Sequence, residues 1–436
     1  MKLSKFAIFL KEENLHIAYC SRTNALFEIT PQLYSYFITN KKNESIDTST
    51  FDENTLKFLA HHKIIVENNE DELYINDLKF KTLQFSFSQK NLCLTIAPTT
   101  KCNFRCNYCF EPHKDYRSMS ENTITKLIEF IKNHKDAETL SLTWYGGEPL
   151  MALDVIDRIL TKIQSINIPI VEHEIITNGY YFNDEAIKLF TKFPLQQIQI
   201  TIDGNKQRHD IVRKNFETKS PSFDIIVSNM DKIITELPNT LLSVRVNIEK
   251  NNKEQFAEIE KYLNNRWNYH GNYNIYPGFI RRDNQNKTDF SKDVLRGKEI
   301  IDFQQSVVCK CESDYPELTP KNCSANRINA YVIGPNGEIY KCWNDVTDTT
   351  KIIGHINNDE VVNRKLLYDY MFSTAWFEDK KCLDCNVLPI CFGGCPWYKV
   401  RNLISNANFN TCSLLKDETY LKRMLIDKYK AQVKSK

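Results

Sequence analysis

The alternation along residues 92 to 285 constrains the fold more than any other feature of the chain. Short apolar runs at 92–98, 139–145, 172–177, 197–203, 241–249 and 272–280 read as strands. Between them, 120–135, 153–165, 183–193, 223–237 and 253–267 carry apolar residues at helical spacing. Ser120 and Asn183 stand where helix N-caps belong. Strands that alternate with helices pair in parallel as βα units. Six such units are too few for a closed eight-stranded barrel, so the pattern predicts an α/β fold with a partial (β/α)6 TIM-like barrel. Such barrels carry their chemistry on the loops that follow the strands.

The first of those loops holds Cys102-Asn-Phe-Arg-Cys106-Asn-Tyr-Cys109. Three thiolates on one short loop can ligate three irons of a [4Fe–4S] cluster and leave the fourth iron open to a small molecule. A zinc knuckle is the alternative, with His113 four residues past Cys109 as a fourth ligand. The second strand runs into Trp144-Tyr-Gly146-Gly147-Glu148-Pro149. A glycine pair lets backbone approach a ligand closely, and Glu148 can accept bonds from an ammonium group. Standing alone, the segment would be an ordinary strand-to-helix turn.

The CxxxCxxC spacing, with the aromatic Tyr108 before its last cysteine, resembles the signature of the radical SAM enzymes. The resemblance implies the partial barrel and an open iron that chelates S-adenosylmethionine and cleaves it to a 5′-deoxyadenosyl radical. It also implies a low-potential electron donor such as flavodoxin or ferredoxin. Gly146-Gly147-Glu148-Pro149 resembles the segment that holds the SAM amino group, and Tyr108 joins the cofactor-binding set. Thr201-Ile-Asp-Gly204, followed by His209-Asp210-Ile-Val-Arg213 and Ser222-Phe223, is similar to a pattern of peptide- and sulfatase-modifying members. By that resemblance Asn178, in Ile176-Thr-Asn-Gly179, lies near the SAM ribose and Arg213 pairs with its carboxylate. An arginine fork suits a carboxylate because it binds both oxygens; a surface arginine is the plain alternative. His209 and Asp210 read as loop-stabilising.

A second cysteine array follows: Cys323-x13-Gly337-x4-Cys342, then Cys382-x2-Cys385-x5-Cys391-x3-Cys395, then Cys412. Taken by itself it also suits a pair of zinc ribbons. The spacing resembles the seven-cysteine pattern of SPASM domains, which hold two auxiliary [4Fe–4S] clusters and bring the implied total to three. Carried over by position, Cys382, Cys385, Cys391 and Cys412 ligate one auxiliary cluster. Cys323, Cys342 and Cys395 ligate the other, with Cys309 or Cys311 as its fourth ligand. In sulfatase-maturating members an aspartate directly follows the cysteine of GX4C and serves as base. Here Trp343 takes that place and Asp345 is the remaining candidate base, against the reading of a solvated loop acid.

The first 90 residues read as strands at 5–10, 16–19 and 25–29 and helices at 32–39 and 53–61. Runs at 63–66 and 72–75 then flank the acidic turn Glu67-Asn-Asn-Glu-Asp71 as a two-stranded wing. That winged-helix-like arrangement is similar to the leader-binding domains of enzymes that modify ribosomally made peptides. A purely structural extension is the alternative. The expected organisation is 1–90 for leader recognition, 91–285 for the barrel, 286–420 for the SPASM domain and 421–436 as a basic tail.

Composition bounds the partners. The 436 residues are 42% hydrophobic and 26% charged, with a net charge of +2. Such a balance describes a globular chain without the basic footprint of a nucleic-acid binder. The N-terminus lacks a signal-peptide core and no run of 18 apolar residues occurs. Fourteen cysteines at metal-ligand spacings point to the reducing cytoplasm and away from disulfides. The resulting expectation is a cytoplasmic radical SAM peptide maturase that acts on a precursor peptide with a leader sequence, forming a thioether, carbon–carbon or carbon–oxygen crosslink. Formylglycine formation on a sulfatase is the alternative, and a non-catalytic iron–sulfur or zinc protein the third reading.

Overall fold

A computed structural model describes residues 1–109, 116–281, 292–307, 316, 318, 323–405 and 407–434. The chain divides into two compact units, one of residues 1–87, 308–328 and 368–436, the other of residues 88–307 and 329–367.

The first unit opens with β1 (Lys2–Leu3), then β2 (Ala7–Glu12), β3 (Leu15–Cys20) and β4 (Ala25–Glu28). β2, β3 and β4 form an antiparallel meander with Ile8 opposite Tyr19 and Ala18 opposite Phe27. α1 (Pro31–Asn40) starts where the Thr30 hydroxyl accepts from Leu33 N–H, with proline in the first turn. α2 (Glu53–His61) starts at Asp52, whose carboxylate takes Thr55 N–H at 2.9 Å. β5 (Ile65–Val66) pairs with β1, and α3 spans Glu70–Ser86. Phe6, Tyr19, Phe37, Leu59 and Ile64 share one core with Val387, Leu388, Leu421 and Leu425. The N-terminal meander and the cysteine-rich C-terminal segment are therefore one hydrophobic body.

The expected wing is absent, because 72–75 lies inside α3. Glu70 and Asp71 of the expected acidic turn stand instead in the first turn of that helix, where carboxylates favour the positive end of its dipole. Asp71 is buried and accepts from Ser4 Oγ and Lys5 N–H, both at 2.8 Å. Arg22 joins them at 3.2 Å from Glu70 and 3.7 Å from Asp71. With its next neighbour in sequence helical, β5 takes β1 as its partner.

The second unit follows the six-fold pattern closely. Its strands are β6 (Asn91–Ile96), β7 (Thr139–Trp144), β8 (Ile170–Thr177), β9 (Gln197–Ile202), β10 (Leu241–Ile248) and β11 (Tyr273–Phe279). They pair in parallel in sequence order. Between them run α4 (Glu121–Asn133), α5 (Leu153–Gln164), α6 (Asp184–Lys192), α7 (Lys206–Val212), α8 (Phe223–Glu236) and α9 (Gln255–Arg266). Crossovers between parallel neighbours are right-handed as a rule, and in sequence order that sets the helices on one face of such a sheet, as in a barrel wall. Ser120 and Asn183 cap α4 and α6 as expected.

Past the helix α10 (Lys298–Val307), β12 (Ala330–Ile333) extends the sheet parallel to β6. β13 (Glu338–Tyr340) turns back against β12. Gly337 makes that turn at φ +90°, where a Cβ would stand 2.7 Å from Ile356. The glycine of the Gly337-x4-Cys342 spacing is thus a hairpin residue. No described helix is long and apolar enough to cross a membrane.

One buried pair inside this unit sets a pH limit. Trp144 Nε1–H donates to His173 Nε2 at 2.8 Å, while His173 Nδ1–H donates to the Pro194 carbonyl at 2.9 Å. Burial pulls His173 from 6.5 down to about 4. The unfolded chain therefore binds the extra proton first, so this group's contribution is complete above pH 6.5 and is lost as pH falls toward 4. Urea unfolding at a series of pH values should show a loss of roughly 3 kcal/mol across that window. His173→Phe should flatten that dependence.

Candidate functional site

Every strand from β6 to β10 contributes to one cluster at its C-terminal end. The loop after β6 carries Cys102, Cys106 and Cys109, all partly buried. Cys109 N–H bonds the Cys106 carbonyl at 3.1 Å, and Phe104 N–H points at Cys102 Sγ at 3.4 Å. Burial pushes the Cys106 thiol up to about 11, with the charges of Cys109 and Cys102 adding to it. Among the described residues, no three Cys, His, Asp or Glu side chains converge on a point that would hold a single metal ion. A cubane takes one thiolate per iron, so its ligands stand apart instead of meeting at one atom. Three thiols on one short loop fit such a cluster, and His113, the fourth ligand of the zinc alternative, lies outside the described residues.

Gly146 and Gly147 follow β7 and lie against the backbone of the cysteine loop. Gly147 N–H bonds Thr99 O at 3.2 Å and Glu148 N–H bonds Lys101 O at 2.7 Å. A Cβ on Gly147 would stand 2.2 Å from the Lys101 carbonyl oxygen, and one on Gly146 would stand 2.5 Å from that of Thr99. The close approach expected of this glycine pair is made to the chain leading into Cys102.

Glu148 is buried and fully engaged. Its Oε1 accepts from Thr177 Oγ1 at 2.6 Å and Leu150 N–H at 3.1 Å, and its Oε2 accepts from Asn178 N–H at 2.7 Å. Burial raises its carboxyl above the ordinary range, while those three bonds oppose the shift. The side chain ties the end of β7 to the end of β8. Asn178, also buried, donates from Nδ2 to Asn103 Oδ1 at 2.7 Å, which brings the cysteine loop into the same set.

Tyr108, Asp203, Arg213 and Asn247 form the other half. Tyr108 Oη donates to Asp203 Oδ2 at 2.5 Å and accepts from Arg213 Nη1 at 2.8 Å and Asn247 Nδ2 at 3.0 Å. Arg213 is buried, so the surface-arginine alternative is excluded; it lies 3.5 Å from Asp203 and over the Phe104 ring at 5.7 Å. Burial raises the Tyr108 hydroxyl well above its usual value. Among the described residues, three buried polar atoms of this cluster lack a partner: Asn103 Nδ2, Asp203 Oδ1 and Arg213 Nε. Buried polar atoms are normally satisfied, so two donors and an acceptor here suit a polar ligand.

His209 and Asp210 hold the loop, as expected. His209 bridges Asp203 N–H at 3.3 Å and Ser222 Oγ at 3.0 Å, and Asp210 accepts from Ser222 and Phe223 N–H at the start of α8. Asp345 is corrected from a solvated acid to a buried one, in a short turn after Cys342. Trp343, next to Cys342, is largely exposed and stacks on Tyr145 at 5.5 Å.

In the first unit, Cys391 lies near both Cys382 and Cys412, and Cys385 lies near Cys412. Burial drives Cys382 up to about 12, with Cys391 contributing, and the neighbouring Cys391 and Cys385 help raise Cys412. The turn Phe392-Gly-Gly394 runs through three positive φ angles. At Gly394 a Cβ would stand 1.8 Å from the Thr411 carbonyl oxygen, so only glycine lets this turn close on the segment bearing Cys412. Cys323 and Cys395 belong to this unit and Cys342 to the other. Cys309 and Cys311 lie outside the described residues.

Several members of the rim cluster had no role in the sequence reading. Asn103 and Arg105 sit between the cysteines themselves; Arg105 Nη1 bonds the carbonyls of Cys102 and Phe104 at 2.6 and 2.7 Å. Asn247 gave no signal, since one polar residue in a strand is unremarked until its neighbours are known.

The Radical SAM superfamily domain matches residues 96–263. A cysteine-type anaerobic sulfatase-maturating enzyme of Clostridium novyi is 25% identical over 74% of this chain and 92% of its own length. The radical SAM cyclopropyl synthase TigE of Paramaledivibacter caminithermalis is 22% identical over 90% and 89%. Among solved structures, anSMEcpe with bound AdoMet and Cp18Cys peptide shares the fold at TM-score 0.60 and 16% identity, covering 79% of this chain and 98% of that one. SuiB of Streptococcus suis bound to precursor peptide SuiA does so at TM-score 0.50 and 16% identity, covering 95% and 99%. Residues 96–263 thus match the radical SAM superfamily domain, with the cysteine loop at the rim of its parallel βα units, and the chain is an enzyme similar to these relatives.

Proposed function

We propose that this enzyme modifies a ribosomally made precursor peptide by hydrogen abstraction. The observation that carries the reading is the loop of three thiols beside three unpaired buried polar atoms at the strand ends. Cys102, Cys106 and Cys109 would hold a [4Fe–4S] cluster, and S-adenosylmethionine bound at its open iron would supply a 5′-deoxyadenosyl radical. Arg213 and Asn103 offer free donors to a carboxylate or hydroxyl and Asp203 a free acceptor. Gly146, Gly147, Glu148, Asn178 and Tyr108 fix the geometry of that pocket.

Two auxiliary clusters complete the proposed set. Cys382, Cys385, Cys391 and Cys412 would hold one, and the second is the one that the seven-cysteine resemblance implies. Clusters of this kind can accept the electron released when a carbon radical closes a new bond. The peptide leader would add as a strand to β4, which pairs only with β3 among the described strands. Similarity to SuiB and TigE, whose names carry a precursor peptide and a cyclopropyl product, supports peptide chemistry. Similarity to sulfatase-maturating enzymes supports formylglycine formation as the second reading. Trp343 in place of the acid after Cys342 favours the first.

The test is mass spectrometry of a short peptide encoded beside this gene after anaerobic co-expression. A loss of two hydrogens that disappears in Cys102→Ala is the expected result. An unchanged peptide, with S-adenosylmethionine still cleaved, would turn the assignment to a sulfatase substrate.

A further inference from the structure

The Lys399 side chain stands out in the first unit, because it is a buried cation whose nearest neighbours include a thiol. It lies on the helix Pro396–Ser405, and its Nζ donates to the Thr374 carbonyl at 3.2 Å. The same atom is 3.9 Å from Cys382 Sγ and 3.7 Å from Asp379 Oδ2. Asp379 Oδ2 is in turn 3.6 Å from Cys382 Sγ, while its Oδ1 caps Lys381 N–H at 2.9 Å. Gly393 lies against Trp376, where a Cβ would stand 2.6 Å from the Trp376 Cβ. A cation and an anion thus flank one sulfur, the cation buried and the anion partly exposed.

We infer that Lys399 and Asp379 are a charge pair that sets the reduction potential of the group ligated through Cys382. The inference rests on the proposed reading of Cys382, Cys385, Cys391 and Cys412 as cluster ligands, and it gives that cluster a tuning device. Reduction adds one negative charge to a cluster, and net charge and contacts to its sulfurs govern its potential. A buried ammonium against a ligand sulfur favours the reduced form, and Coulomb interactions strengthen where water is scarce. The carboxylate on the same sulfur favours the oxidised form. Lys399 is accordingly a positioning residue for electrons, and its effect is visible without turnover.

The experiment is an anaerobic redox titration of the reconstituted full chain, followed by electron paramagnetic resonance. The relevant signal is the one that Cys385→Ser removes. Lys399→Met should lower its midpoint, so that at the wild-type midpoint the reduced-to-oxidised ratio falls about tenfold, or ~59 mV for one electron. Lys399→Arg should restore the wild-type value, and Asp379→Asn, which keeps the helix cap, should move the midpoint upward. Equal midpoints in all four proteins would overturn the inference while leaving the cluster in place. A wild-type protein with no Cys385-dependent signal would overturn the cluster reading and the inference with it. Should Lys399→Met fail to hold the cluster, an unmoved midpoint in Asp379→Asn is sufficient to reject the tuning role.

Discussion

Glu148→Ala should cost the apo-protein roughly 3–5 kcal/mol and abolish cleavage of S-adenosylmethionine, because it strands buried donors at two strand ends. The carboxylate takes Leu150 N–H, Asn178 N–H and the Thr177 hydroxyl, and none of these reaches solvent easily. Bonds to a charged acceptor contribute about 1.5–3 kcal/mol each, and a buried donor left unmade costs its desolvation. For a fold whose net stability is on the order of 10 kcal/mol, that loss is large. Glu148→Gln keeps one acceptor oxygen but turns an amide toward a donor, so about half the loss should remain. Urea unfolding under anaerobic conditions measures both. A full-strength Glu148→Ala protein would mean that these bonds are replaced by water.

Gly394→Ala should lose one cluster's worth of iron and about 3 kcal/mol of stability. The added methyl would overlap the Thr411 carbonyl oxygen, which is backbone and cannot swing aside. The φ of +76° adds a penalty of about 1–2 kcal/mol for any residue with a Cβ. Relief requires the turn between Cys391 and Cys395 to move away from Cys412, and that separates thiols proposed to share one cluster. Iron content and visible absorbance after reconstitution check the result. Gly297→Ala is the control for the positive φ alone, since at φ +45° its Cβ position has no described atom within 4 Å. Equal iron in the two variants would argue against Cys412 as a ligand.

What could be read from residues alone depended on how local the physics is. The six βα units were legible because each strand is a short apolar run and each helix buries a stripe: Ile124, Leu127, Ile128 and Ile131 in α4, Val155, Ile156, Ile159 and Leu160 in α5. The cysteine loop was legible for the same reason, with ligand spacing inside a dozen residues. Errors arose where a contact distant in sequence decides the outcome. Glu70 and Asp71 read as part of an acidic turn between strands, whereas they open α3 and pair with Arg22, some fifty residues earlier. Asp345 looked solvated until the turn after Cys342 buried it. Glu148 was visible as a motif residue, but two of its three donors, Thr177 and Asn178, come from the end of another strand and no spacing reports them. The Lys399 pairing is of the same kind, since Asp379, Cys382 and Lys399 meet only through the fold.

Anaerobic reconstitution with iron and sulfide, followed by dithionite and quantitation of 5′-deoxyadenosine, tests the account at its centre. Wild-type protein should release 5′-deoxyadenosine, while Cys102→Ala should release none and still keep the iron bound through Cys382, Cys385, Cys391 and Cys412. Nucleoside release that persists in Cys102→Ala, or a wild-type protein that binds zinc and cleaves nothing, would contradict it.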